Sequence, residues 1–207
     1  MRASFRELWP PTADTWQAPD VVTVKLDDLS ALPRAGDALA RGEAWAQFRA
    51  APDVAMIDWP DDVAEQFLFD HGRKSSFIQM YGHLDLSGIT WEVVSVSLAD
   101  LLAVTSATHL AHVEQVRLDP DHWIGNWRAS GRDLGWSTIG TWRRRPVFFV
   151  GELLKPPRAG LHLVEGHTRL GILRGLADQR RLNTGSRHEI WLGSAQNVSR
   201  DGAAPHE

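Results

Sequence analysis

Cysteine is absent from this chain of 207 residues. Disulfides, thiolate metal sites and a cysteine nucleophile on the chain are thereby excluded. Also missing is any uninterrupted apolar run long enough to span a bilayer, and the first twenty residues, MRASFRELWPPTADTWQAPD, hold no stretch of the signal-peptide kind. The expectation is a cytoplasmic protein with no membrane partner. No Walker A loop, dinucleotide glycine loop, HExxH helix or Ser-His-Asp arrangement is legible. Internal repeats and low-complexity tracts are missing as well.

What is present suffices for a sizeable core: 43% of the residues are hydrophobic and 23% charged. The net charge of −4 hides an uneven distribution. Between Thr141 and His188 stand ten Arg or Lys against three acids, so this segment is +7 and the remainder carries −11. Such asymmetry points either to a polyanionic partner or to basic and acidic faces that satisfy each other within the fold.

The opening third is punctuated by Pro10, Pro11, Pro19 and Pro33, with a strand candidate from Val21 to Leu26 and a helix expected from Asp37 to Ala51. In WPDDVAEQFLFDHG, Pro60 suits a first helical position, Asp61 and Asp62 favour the positive end of the dipole, and Gly72 is a stop. Ile89 to Leu98 alternates as a strand does, and a short helical turn is expected after it. Two helical pieces follow, broken at Pro120. RPVFFV and LHLVE read as strands, TRLGILRGLADQRR as a helix and HEIWLG as a closing strand. The result is an α+β reading. Residues 1–88 form a mostly helical extension, 89–193 the α+β domain and 194–207 a flexible tail.

Glu165-Gly166-His167-Thr168-Arg169 sits where a strand hands over to a helix. Glycine permits a sharp turn there and leaves room for a ligand. A helix start exposes unpaired N–H groups, and the Arg169 guanidinium suits phosphate oxygens. The same spacing also fits a purely structural corner, with Thr168 as an N-cap, Arg169 paired to Glu165 and His167 on the surface.

EGHTR resembles the Gly-His-x-Arg box of the ParB/sulfiredoxin-like superfamily, and in form it is close to the DGHTR box of the free-serine kinase branch. EVVSVSLADL looks like that family's first strand and turn, GTWRRRPVFFV like its entry into the next strand, and HEIWLG like its last strand. The resemblance covers roughly residues 89–193. It implies a small mixed sheet with packed helices and a nucleotide (ATP, ADP or CTP) whose phosphates lie among Gly166, His167, Thr168 and Arg169. Glu165 and His167 would be the catalytic groups, with Glu165 also holding Mg2+, in NTP hydrolysis or in phosphoryl transfer to a small-molecule acceptor. Sulfinic acid repair is excluded because His167 stands where sulfiredoxins carry their cysteine. Neither an ENxxR segment nor a helix-turn-helix region follows, which argues against chromosome segregation. The other readings are a non-catalytic interaction module, using the basic surface for a protein or nucleic-acid partner, and a nuclease.

Trp123, Trp127, Trp136 and Trp142 read either as core or as stacking surfaces. His109 and His112 with Glu114 could belong to a metal site but lack a third ligand in register. Arg143 to Arg145 fit either phosphate contacts or a solvated edge. With −11 outside the basic segment, binding to DNA or RNA is expected to be weak at most and steeply salt-dependent, because phosphate neutralisation supplies non-specific affinity. A gel-shift complex that survives physiological salt at nanomolar protein would overturn this expectation.

Overall fold

The computed structural model describes residues 23–34 and 37–196. Within them, α1 spans Arg41–Arg49, α2 Pro52–Ala55 and α3 Asp61–Ala64; α3 runs on into a π-helical turn, Glu65–Phe69, and α4 spans Ser75–Tyr81. Then come β1 (Ile89–Ser97), α5 (Leu98–Leu102), β2 (Ser106–Ala107), α6 (Leu110–Leu118) and α7 (Pro120–Ala129). The last part holds β3 (Val147–Val150), β4 (Leu161–Glu165), α8 (His167–Asp178) and β5 (Arg187–Ala195). The protein is mixed α+β. Among the described residues no helix is long and apolar enough to cross a membrane.

The sheet order is β1-β5-β3-β4-β2, with β1–β5 and β3–β4 antiparallel and β5–β3 and β4–β2 parallel. β3 lies in the middle and is apolar on both faces, which is why VFFV is a continuous run rather than an alternating one. Val147 and Phe149 pack on the side that also buries Phe48, Phe67, Phe77 and Leu86. Phe148, with Leu163 and Ile190, packs on the side that buries Val113, Leu170 and Leu173. Residues 24–89 are therefore one helical layer over the sheet, sharing a core with it, and α5–α8 are the other.

α8 approaches α6 closely because Gly171 faces it: a Cβ there would stand 2.5 Å from the Val116 Cβ and 2.7 Å from the Val113 carbonyl oxygen. The start of α8 is fixed from both sides of the sheet. A bulge between Val147 and Phe148 makes Val147 oppose Glu165 while Phe148 opposes Leu163. The extra residue, Val164, packs in the first core, and Glu165 still reaches the same helical layer.

Two expectations fail in the described part. Thr23 to Leu26 forms no strand: Leu86 N–H donates to the Val24 carbonyl, but Lys25 and Leu26 spend their backbone groups on the local turn with Asp28 and Leu29 rather than on a neighbouring strand. The helix expected from Asp37 begins at Arg41, with Ala40 as an uncapped N-cap. Pro10, Pro11, Pro19, the first two residues of the strand candidate and the tail beyond 196 lie outside the described residues.

A polar chain crosses the sheet. The Tyr81 hydroxyl lies 2.7 Å from both His162 Nε2 and Thr108 Oγ1, and His162 Nδ1 lies 2.6 Å from Ser106 Oγ. Burial, with the nearby Arg158 charge, pushes the His162 imidazole down to about 4, whereas the unfolded chain protonates it near 6.5. The unfolded state thus binds the extra proton first as pH falls. Stability from this group is full above pH 6.5 and is lost progressively down to about pH 4, by on the order of 3 kcal/mol. Urea unfolding at pH 7 and pH 4.5 should show this loss, and His162→Gln should narrow the gap. A gap of the wild-type size in the variant would reject the assignment.

Candidate functional site

All five residues of the EGHTR turn gather at the N-terminus of α8. Gly166 is the N-cap and holds φ +106°, a conformation that L side chains avoid. A Cβ there would also collide with Pro146 and stand 3.1 Å from Arg169 Nε, so the backbone approaches its neighbours as closely as glycine allows. Gly166 offers no side-chain cap, and Leu170 N–H is the first to bond back to its carbonyl. Among the described residues, the N–H groups of His167, Thr168 and Arg169 have no acceptor. Those groups and the positive end of a twelve-residue helix favour an anion.

Glu165 is the hub of the charged side chains. Its Oε2 lies 3.1 Å from His71 Nε2 and 3.8 Å from His167 Nδ1, and its Oε1 lies 3.6 Å from an Arg169 guanidinium nitrogen. The tautomers follow from fixed donors. His109 backbone N–H donates to His167 Nε2 at 3.2 Å, so the neutral ring carries its proton on Nδ1, toward Glu165. The Lys74 ammonium, 2.6 Å from His71 Nδ1, leaves the His71 proton on Nε2, again toward Glu165. Burial alone would raise the Glu165 carboxyl, but the His167 and His71 rings facing it and the Arg169 charge hold it well below the usual carboxylate range. A carboxylate so stabilised is a weak proton acceptor.

Arg169 is nine-tenths buried. One guanidinium nitrogen donates to Gln66 Oε1 at 2.6 Å and the other to the Arg144 carbonyl at 2.9 Å. Its Nε–H has no acceptor among the described residues. Gln66 is fixed in turn, since its amide donates to the Arg145 carbonyl at 3.1 Å and to Asp62 Oδ1 at 3.2 Å. Thr168 Oγ1 lies 3.1 Å from His112 Nε2.

These groups line a cleft of about 590 Å³ between α1, the π turn, the α8 N-terminus and the loop after α7. Five arginines line it against four carboxylates. Arg41 bridges Glu65 and Asp70 at 2.7 and 2.8 Å, Arg144 holds Asp62 and Glu65 at 2.5 Å each, and Arg143 holds Asp133 at 2.8 Å. Arg132 has no carboxylate partner among the described residues; its guanidinium lies over the Trp127 ring, 5.2 Å from the centroid.

Neither His109 nor His112 completes a metal site, and among the described residues no group of three His, Cys, Asp or Glu is arranged to hold a metal ion. The surroundings of Glu165, two imidazoles and a guanidinium, do not fit Mg2+, which needs oxygen donors and here would stand beside a fixed positive charge. Trp136 and Trp142 are core residues, and Trp123 packs its ring edge to face with His112. Arg145 turns away to Glu189. The tie from Gln66, the His71 contact and the Arg41 bridges had no counterpart in the sequence reading, because each links positions far apart in the chain.

Comparison with family models, curated proteins and solved structures gives no match. The left-handed turn at Gly166 and its contact with Pro146 predict that Gly166→Ala destabilises the protein by about 2–3 kcal/mol, from backbone strain and overpacking together. Urea denaturation reads this directly, and a neutral variant would show that the corner relaxes without glycine.

Proposed function

We propose that the cleft binds a nucleotide by its phosphates at the α8 N-terminus, and that the chain is a ParB/sulfiredoxin-like domain. The observation that carries the reading is the set of three unpartnered N–H groups opening, beside Arg169, into a cleft lined by five arginines. The cleft volume of about 590 Å³ accommodates a small-molecule ligand of nucleotide size. The resemblance of the EGHTR turn supplies the ligand class. Gly166 with its close backbone, Thr168 and Arg169 are the binding residues; NTP hydrolysis or phosphoryl transfer to a small-molecule acceptor is the proposed chemistry.

The chain's own contribution to that chemistry is electrostatic. The N–H groups and the Arg169 Nε–H offset charge on the phosphoryl oxygens, while His167, held between His109 and Glu165, orients the turn. The cation-rich setting of Glu165 supports metal-independent binding, with any magnesium arriving on the phosphates themselves. A second reading, a non-catalytic nucleotide-binding module with protein partners, is favoured by Glu165, which is tied by His71, His167 and Arg169 and too weakly basic for proton abstraction.

A thermal-shift panel of ATP, ADP, CTP and GTP tests binding, since a ligand of the native state stabilises by mass action. At saturating nucleotide a clear rise in Tm is expected with and without magnesium. Calorimetry on Arg169→Ala, after its folding has been checked, should show affinity lower by about 1.5–3 kcal/mol. No shift with any nucleotide would remove the reading. Phosphate release by wild type and Glu165→Gln separates the two forms of it: turnover kept in the variant removes Glu165 from the mechanism, and no turnover in the wild type leaves the binding module.

A further inference from the structure

We infer that Trp127, with Arg132 above it, is the seat for the base of a nucleotide whose phosphates lie at the α8 N-terminus of the same cleft. The inference rests on the nucleotide reading above and adds the residues that would recognise the part of the ligand the phosphate turn does not touch.

Of the four tryptophans between residues 123 and 142, three are committed to other partners. Trp136 and Trp142 are 8% and 4% exposed and meet edge to face at 5.7 Å in the core. Trp123 is committed to His112 and His122, with ring centroids 5.2 and 6.0 Å away. Of these four, Trp127 alone lines the cleft, half-buried near the end of α7, while Gly166, Thr168 and Arg169 line the same cleft from α8. Trp127 therefore borders the same space as the phosphate turn.

Arg132 makes the surface selective. The other cleft arginines face a carboxylate or, as with Arg169, are tied to Gln66 and a carbonyl, whereas Arg132 has only the Trp127 ring and its own exposed position. A guanidinium over an indole is a planar cation on a planar ring, and both surfaces stack on heteroaromatic bases. A base inserted against Trp127 would gain contact with both groups and would not have to break an ion pair, as it would beside Arg41 or Arg143. The turn that follows is pinned by Arg132 N–H to the Trp127 carbonyl at 2.9 Å, so the two residues keep their relation as α7 ends. Stacking tolerates every base, so this wall sets the preference for nucleotides over inorganic polyphosphates and discriminates only weakly among ATP, CTP and GTP.

The test compares ATP, CTP and inorganic tripolyphosphate by calorimetry on wild type, Trp127→Ala and Trp127→Phe. Wild type should bind both nucleotides at least tenfold more tightly than tripolyphosphate. Trp127→Ala should bring nucleotide affinity down by about ten- to a hundredfold, toward that of tripolyphosphate, with tripolyphosphate binding changed less than twofold. Trp127→Phe should keep most of the nucleotide affinity. If nucleotides bind and Trp127→Ala leaves them unchanged, or if wild type does not distinguish nucleotide from tripolyphosphate, the base seat is wrong while the phosphate site stands. If neither ligand binds wild type, the nucleotide reading fails and takes the base seat with it.

Discussion

A buried guanidinium cannot be left without acceptors, and at Arg169 that requirement organises the corner around it. Removing a charge from water costs several kcal/mol unless hydrogen bonds replace the lost solvent. Gln66 Oε1 and the Arg144 carbonyl supply two acceptors, and Glu165 supplies the countercharge at 3.6 Å. Each acceptor is held by something else. Gln66 is fixed by Asp62 and the Arg145 carbonyl, and Glu165 by two histidines. The π turn, the loop at Arg144 and the start of α8 are thus tied to a single group. A π turn at this point agrees with the tendency of such widened turns to occur where side chains serve a site rather than a core.

The uneven charge of the chain is largely discharged inside the fold. Arg144 meets Asp62 and Glu65, Arg174 meets Glu114, Arg181 meets Asp121 and Arg145 meets Glu189, each joining the basic segment to acids outside it. Most of these pairs are partly exposed and individually stabilise little. Together they offset much of the positive charge that the composition of residues 141–188 concentrates, which weakens the case for a polyanionic polymer as partner. Lys155, Arg158, Arg180 and Arg187 form no ion pair among the described residues, and within the cleft the uncompensated positive character lies at the α8 N-terminus and at Arg132.

Periodicity made most of the fold legible: the strand at Ile89, the break at Pro120, the two-faced run VFFV and the α8 helix all stand where the pattern puts them. α4 was invisible because KSSFIQMYG is too short to show a period, and its burial comes from Phe77 and Tyr81 packing edge to face against Phe67 and Phe149. VVTVKL has the composition of a strand, yet its described residues gain no strand partner, and β propensity without a neighbour to pair with does not make a sheet. At the site, Glu165 to Arg169 were legible because they are consecutive. Gln66, His71 and Arg41 were not, since their proximity depends on two helical layers meeting across a sheet, and Trp127 was legible only as one of four tryptophans that could be core or stacking surface.

The pairing of the cleft arginines also limits how an anion can enter. Arg41, Arg143 and Arg144 already face carboxylates at hydrogen-bond distance, so a phosphate approaching them must displace a neighbour of the same charge, and the net gain is small. The helix N–H groups have no such competitor. Arg169 Nε–H lies beside Gly166, where a side chain would obstruct the approach, and its other nitrogens are held so that this one stays directed. An anion at that corner would therefore be bound by groups whose geometry is set before it arrives, at little reorganisation cost. The same ties that hold Arg169 for folding would orient it for a ligand, and a residue that looks wholly structural by its partners can contribute to binding through a donor that those partners leave over, the Nε–H.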